Sequence, residues 1–229
     1  MHANAPVGYA DLHVHPSGNA RRGSPRPSTP ASIVAALRAS GLRVAVLADH
    51  DRIDVARELA ARSREDGSPL ELVVGEEIAT LEGHLVGIGL ASCVPPGMPL
   101  DETVAAVHEQ GGLAVVAHPL LPPMRAATAE RLLALAHGDP RCRPDALETV
   151  NPVAVWVPRW RRRVERLARD GGYAVVGGSD AHRAEAVGRG RTGFPGGDAP
   201  ALFRAILARE TWAEGRRAAL RDVLRGSAD

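Results

Sequence analysis

The chain has 229 residues, of which 45% are hydrophobic, and this length allows a single domain with a sizeable core over residues 1–229. Its 28 basic and 27 acidic residues leave a net charge of +1, and only 3% of residues are aromatic. These values argue against a nucleic-acid polymer or a membrane surface as partner, because both require a basic surface and single strands also require stacking platforms.

The start of the chain does not have the composition of a signal peptide. Residues 1–9 lack a basic start followed by an apolar stretch, and no apolar run is long enough to span a bilayer. We therefore expect a cytoplasmic protein. The sequence leaves its oligomeric state open.

Short apolar runs alternate with helix-like stretches, a pattern that favours a parallel sheet or barrel of the α/β class. Strands are predicted over residues 11–15, 42–48, 70–74, 85–90, 112–117 and 173–178. Helices are predicted over about residues 30–40, 54–66, 101–110, 128–137, 159–170, 199–210 and 216–225. Residues 16–30 and 183–200 are expected to be long polar loops that form walls of an active site.

Histidines and acids lie at the ends of these apolar runs, one run after another. His13 and His15 alternate along a strand and so share a face, and Asp180 and His182 repeat that spacing after another strand. The carboxyl ends of parallel strands meet at one edge of a sheet, where imidazole and carboxylate groups can hold several metal ions. The sequence therefore predicts a polynuclear metal site.

The triplet of Asp49, His50 and Asp51 offers three candidates at one such strand end. We favour His50 as a ligand and Asp49 as the carboxylate that orients an imidazole. Asp51 is expected to begin the following turn.

Two other groups of residues receive ordinary structural interpretations. The remaining histidines, His2, His108 and His137, are expected to have structural or terminal positions. The arginines between Arg159 and Arg166 are expected to form a solvated helix face, with a partner surface or an anion site as the alternative.

Seven ordered motifs resemble those of the PHP (polymerase and histidinol phosphatase) superfamily. They are His13-x-His15, Ala48-Asp49-His50-Asp51, Gly75-Glu76-Glu77-Ile78, Gly83-His84-Leu85-Val86-Gly87, Ala117-His118-Pro119, Glu148-Thr149-Val150-Asn151 and Gly178-Ser179-Asp180-Ala181-His182. They lie within residues 9–195, and C-terminal helices follow over about residues 199–226. The Gly-His-Leu element is similar to the CehA/McbA-type branch.

The resemblance implies a distorted seven-stranded (β/α) barrel, similar to a TIM barrel, that holds two or three divalent metals and hydrolyses phosphoesters. It selects Glu77, rather than Glu76, as the carboxylate that bridges metals. The ligands that it implies are His13, His15, His50, Glu77, His84, His118, Asp180 and His182.

One departure concerns the metal position furthest from Glu77. Many members of the family carry an aspartate shortly after the His-x-His pair, whereas this chain has no acid between His15 and Asp49. Either a water or Asn19 takes this position, or the protein works with two metals, or the third site binds weakly.

Charge arithmetic favours an anionic substrate. Three divalent ions bring six positive charges and two ions bring four, while Glu77 and Asp180 return two, so four or two charges remain. We therefore expect a small phosphorylated metabolite, hydrolysed by a water that the metals activate. Zinc, manganese or iron suits the mixed imidazole and carboxylate ligands.

Several side chains are candidates for contacts with the reacting phosphoester. Arg21, Arg22 and Arg183 are predicted to bind its phosphate oxygens, and His118 or His182 is predicted to protonate the leaving group. Two other functions stay open. One is hydrolysis of a carbamate, ester or amide, and the other is a module that binds metal or nucleotide without turnover.

Overall fold

The structure is a computed structural model, and it describes residues 6–18, 28–121, 126–152, 154, 157 and 159–215. Asn19, Arg21, Arg22 and the predicted helix at 216–225 lie outside the described residues.

The described residues form nine strands and six α-helices. The strands are β1 (Val7–Val14), β2 (Val44–Leu47), β3 (Glu71–Thr80), β4 (Gly83–Ile88), β5 (Leu113–Val116), β6 (Ala146–Val150), β7 (Ala174–Gly177), β8 (Gly190–Pro195) and β9 (Trp212–Gly215). The helices are α1 (Pro30–Ala39), α2 (Asp54–Glu65), α3 (Leu100–Glu109), α4 (Ala129–Ala136), α5 (Trp160–Gly171) and α6 (Ala199–Ala208). The first six predicted helices are therefore confirmed, with ends that differ by one or two residues.

All nine strands belong to one sheet, in the order β7-β6-β5-β4-β3-β2-β1-β8-β9. Strands β1 to β3 pair in parallel, as do β5 to β7, whereas β4 is antiparallel to both of its neighbours. The sheet curves so that β7, at one end of this order, lies against β8 and β1 near the other end. There the Thr192 hydroxyl bonds both the N–H and the carbonyl of Gly177, and Val14 bridges Ala181.

This nearly closed sheet confirms the predicted α/β barrel, but the strand count differs from seven. The expected loop over residues 183–200 instead contains strand β8 and the first residues of α6. Strand β8 itself contains two glycines and a proline, which are typical of a loop in sequence, yet pairing with β1 and β9 makes residues 190–195 a strand. Strand β9 then adds to the free edge of β8.

Alternate residues of the strands fill the interior of the barrel. Strand β2 contributes Val44 and Val46, followed by Ala48, and corresponding positions of the other strands join the same buried cluster. Helix α6 packs Leu202 and Ile206 against this cluster. Apolar side chains therefore fill the interior along the strands. The polar residues that come next on the same inward faces lie at the carboxyl ends of the strands.

The helices pack outside the sheet in two further apolar clusters. Helices α1 and α2 cover β1 to β3, and α3, α4 and α5 cover the opposite side. Within the described ranges, none of the helices combines the length and apolar character needed to cross a bilayer.

Candidate metal centre

The buried carboxylate of Glu77 lies at the centre of a ring of five imidazoles. Its Oε2 lies 3.2 Å from His13 Nε2, 3.3 Å from His15 Nε2 and 3.0 Å from His50 Nδ1. Its Oε1 lies 2.8 Å from His84 Nδ1 and 3.1 Å from His118 Nε2. One carboxylate thus contacts side chains from the ends of four other strands.

A second carboxylate, that of Asp180, lies on the other side of the histidine pair. Its Oδ1 lies 3.2 Å from His15 Nε2 and 3.8 Å from His13 Nε2. The same oxygen lies 3.5 Å from His182 Nδ1, and the rings of His182 and His15 stack at 3.9 Å. The structure therefore brings all eight predicted metal ligands together.

The backbone leaves regular strand geometry where it places these ligands. His118 and Asp180 have φ angles of 27° and 50°, which are unfavourable for residues with a side chain. Between β7 and Asp180, a Cβ at Gly178 would lie 2.5 Å from both Glu148 Oε1 and the His13 Cβ. Only glycine therefore allows the chain to pass this close to the cluster.

The side chains form three groups that could each hold a metal ion, with ligand atoms within 4.8 Å of one another. The groups are His13, His15, Glu77 and Asp180; His50, Glu77 and His84; and His15, His50 and His182. We call the last one the all-histidine group. It is the only one of the three without a carboxylate, and the sequence has no acid between His15 and Asp49.

Two buried atoms at the centre provide a test of whether a metal fits. His13 Nε2 and Glu77 Oε2 lie close together, yet neither has a hydrogen-bond partner with acceptable geometry among the described residues. Burying such polar atoms without partners costs free energy, and a cation between them would satisfy both. The residues present therefore fit divalent metals.

The electrostatics of the cluster point in the same direction. Burial raises the pKa values of Glu77 and Asp180, but the charge of His13 and hydrogen bonds from neighbouring imidazoles together outweigh burial and hold both well below their usual range. Burial lowers the pKa of His15, yet hydrogen bonds to Asp180 and Glu77 raise it to about 9. Burial and the charge of His15 lower the pKa of His182 to about 4. Two buried carboxylates thus stay ionised beside His13 and His15, whose raised pKa values show protons held where a metal cation would replace them.

A third buried carboxylate, that of Glu148, contacts two of the clustered histidines. No role was predicted for it from the sequence. Its Oε1 lies 3.3 Å from His13 Nδ1, while its Oε2 accepts hydrogen bonds from His118 N at 2.8 Å and Asn151 Nδ2 at 3.0 Å. Asn151 Nδ2 also lies 3.4 Å from Asp180 Oδ2. The motif containing Glu148 and Asn151 was visible in sequence, but nothing in it indicated these partners.

Asp11 is a second buried acid with an unpredicted structural role. Its carboxylate accepts hydrogen bonds from the N–H groups of Ser179 at 2.9 Å, Gly188 at 2.9 Å and His13 at 3.3 Å. Burial raises its pKa to about 6 although these hydrogen bonds oppose the shift. Asp11 therefore joins the segment around Asp180 to β1.

The predicted role of Asp49 is wrong. Its carboxylate accepts hydrogen bonds from Ser17 N at 3.0 Å and Ser17 Oγ at 2.5 Å, rather than from an imidazole. It thereby holds the segment after the His-x-His pair, because Ser17 follows His15 by two residues. Asp51 lies in a turn, as expected, and accepts a hydrogen bond from Ala79 N.

The predicted phosphate-binding arginines are only partly covered by the structure. Arg183 directly follows His182 and is partly buried, while Arg21 and Arg22 lie outside the described residues. Away from the cluster, His108 has the expected structural role. Its Nδ1 lies 2.8 Å from the Arg141 carbonyl oxygen and its Nε2 lies 3.0 Å from Asp145 Oδ2.

Comparisons with known proteins agree with this architecture. A family model described as PHP-associated matches residues 158–211. An uncharacterized protein of Methanocaldococcus jannaschii is 33% identical over 123 residues, which cover 51% of this chain and 71% of that protein.

Two solved structures are similar in fold. A two-domain protein of Bacteroides vulgatus, which contains a predicted PHP-like metal-dependent phosphoesterase, has a TM-score of 0.69 at 17% identity, over 97% of this chain and 69% of that one. Endonuclease Q of Pyrococcus furiosus has a TM-score of 0.59 at 13% identity, over 97% of this chain and 66% of that one. At these identities the likeness concerns the fold alone.

The seven motifs and the match to the PHP-associated family model lead to one family. The branch within it stays a prediction from the Gly-His-Leu element. The chain belongs to the PHP superfamily.

Proposed function

We propose that the protein is a metal-dependent hydrolase that cleaves a phosphoester of a small phosphorylated metabolite. The observation that carries this proposal is the position of Glu77, whose two oxygens lie within 3.3 Å of five imidazoles. A carboxylate that can serve two metal positions at once is typical of hydrolytic centres with more than one ion.

The seven residues of the three ligand groups, together with His118, would hold two or three divalent ions, with zinc, manganese or iron suited to the mixture of imidazole and carboxylate. When bound, such ions supply Lewis acidity and a more acidic water. Glu148 orients His13 through the ring nitrogen that faces away from the cluster.

Two histidines are candidates for protonating the leaving group. His118 is buried, with Nε2 against Glu77, whereas the His182 side chain is 26% exposed. The exposed position gives His182 the better access to a leaving group, whereas the raised pKa of His118 and the low pKa of His182 favour His118 as the proton donor. Arg183, with Arg21 and Arg22, is proposed to bind the non-reacting phosphate oxygens.

The charge of the centre supports a phosphorylated substrate. Only two carboxylates lie in the three candidate ligand groups, so bound divalent ions leave a positive excess that a phosphate dianion would reduce. Endonuclease Q, which shares the fold, was solved with a DNA duplex carrying an abasic lesion, so the fold does not restrict size. We favour a small substrate because the chain has a net charge of only +1 and few aromatic residues.

A substrate panel with defined metal content tests this proposal. The purified protein is loaded with manganese, zinc or iron, and its metal content is measured beside phosphate release from small phosphomonoesters and diesters. Aryl carbamates, esters and an oligonucleotide serve as competing substrate classes. Phosphate release from small esters is the expected result.

Three outcomes would contradict the proposal, each in a different way. Carbamate or ester cleavage without phosphate release would indicate the alternative hydrolase. Preference for the oligonucleotide would contradict the small substrate. Tightly bound metal without any turnover would favour the non-catalytic module.

A further inference from the structure

A cavity of about 380 Å³ lies beside the metal centre, between the ends of β6 and β9 and the start of α5. Its wall includes Val150 and Asn151 from β6 and the following turn, Gly215 at the end of β9, and Trp160 of α5. A pocket of about 150 Å³ is enough to hold benzene, so this volume accommodates an aromatic ring or sugar with a substituent.

Asn151 connects this cavity to the metal centre. It lines the cavity, while its Nδ2 lies 3.0 Å from Glu148 Oε2 and 3.4 Å from Asp180 Oδ2. Asp180 in turn contacts His15. A single side chain therefore lies between the cavity and a proposed metal ligand.

Three arginines of the predicted solvated helix face line the cavity, and all three are exposed. They are Arg159, Arg161 and Arg162. Arg161 is already engaged, because its Nε donates to Glu165 and its Nη2 donates to the carbonyl of Ala213.

Arg159 and Arg162 differ from Arg161 in their partners. Neither side chain has an ion pair or hydrogen bond with a residue in the described part of the chain. Two exposed arginines that line a cavity, without a described acid to balance their charge, favour an anionic group inside the cavity.

The remaining wall is apolar and well held. Trp160 is 3% exposed, and its Nε1 donates to the Pro119 carbonyl at 2.6 Å, so its indole is fixed in position. Val150 and Ala154 also line the cavity. An apolar wall with two cations suits an organic group that carries a negative charge, and inorganic phosphate alone would leave most of this wall uncovered.

We propose that this cavity binds the leaving group of the phosphoester, and that Arg159 and Arg162 bind a second anionic group on it. The substrate class is thus a small organic phosphoester whose leaving group carries a carboxylate or a further phosphate. This inference rests on the proposed phosphoesterase function.

The test uses two matched esters, 4-carboxyphenyl phosphate and its neutral analogue 4-carbamoylphenyl phosphate, which differ mainly in charge. We expect the manganese-loaded protein to show a kcat/KM about tenfold higher for the carboxylate ester. The double variant Arg159→Gln/Arg162→Gln should bring the ratio close to one without changing the manganese content. Arg166→Gln is the matched control, because Arg166 is exposed on the same helix and does not line the cavity.

Equal kcat/KM values for the two esters, or a preference that survives in the double variant, would overturn the cavity assignment while leaving phosphoester hydrolysis intact. If neither ester is hydrolysed, the proposed function fails, and calorimetric binding of 4-hydroxybenzoate and 4-hydroxybenzamide judges the cavity by itself. Tighter binding of the benzoate that the double variant loses would support the assignment. Absence of that difference would refute it.

Discussion

Replacing Glu148 by glutamine tests whether this carboxylate orients His13 for metal binding. Glu148 is 2% exposed and accepts three hydrogen bonds, two of them at Oε2 from His118 N and Asn151 Nδ2. A glutamine fits the same volume, and its single oxygen has to stay at the position with two donors. Its amide NH₂ then faces His13 Nδ1, where the carboxylate was an acceptor.

This exchange changes the proton position on the His13 ring. Facing a donor, Nδ1 must become the acceptor, and the proton moves to Nε2, the nitrogen that points at Glu77. A protonated Nε2 cannot bind a metal. Loss of a partner that orients a histidine ligand lowers metal affinity by about 10- to 100-fold, or about 1.4–2.7 kcal/mol.

The assay is a chelator competition that measures the dissociation constant of manganese or zinc for the wild type and Glu148→Gln. Thermal unfolding of the metal-free proteins shows whether the variant is folded. Glu76→Gln is the matched control, because Glu76 is also a buried acid of the sheet but accepts its hydrogen bond from Val94 N, away from the cluster. Wild-type affinity in folded Glu148→Gln, or an equal loss in the control, would refute the reasoning.

Three further predictions concern the metals and one distant histidine. Glu77→Ala should abolish both metal retention and turnover, because it removes the carboxylate shared by two ligand groups, and elemental analysis beside an activity assay checks this. The all-histidine group should lose its metal first on dialysis against a weak chelator. Three ions retained equally would contradict that. Finally, the hydrogen bond to Asp145 raises the pKa of His108 although burial opposes the shift. The stability that wild type has over His108→Ala should therefore be complete below about pH 6.5 and disappear as pH rises through the higher folded-state pKa, as measured by denaturant unfolding. A difference that grows with pH would be inconsistent with this pair.

The sequence by itself determined the class of the fold and the ligand types of the metal centre. Side chains alternate along a strand with a period of two, so the inward face of β2 can be followed from Val44 and Val46 to Ala48 and then to His50. The structure agrees, because the three apolar residues lie in the interior cluster and His50 contacts Glu77. This relation is local, and local relations are visible in a sequence.

Only the tertiary structure decided which distant groups meet. Glu148 lies 135 positions from His13, and Asp11 lies 177 positions from Gly188, so no local pattern indicates either contact. Residues 190–195 form a strand for the same reason, since antiparallel pairing with β1 and β9 outweighs their glycines and proline. Sheet closure sets all of these partners, because hydrogen bonding across a barrel depends on how the whole sheet curves.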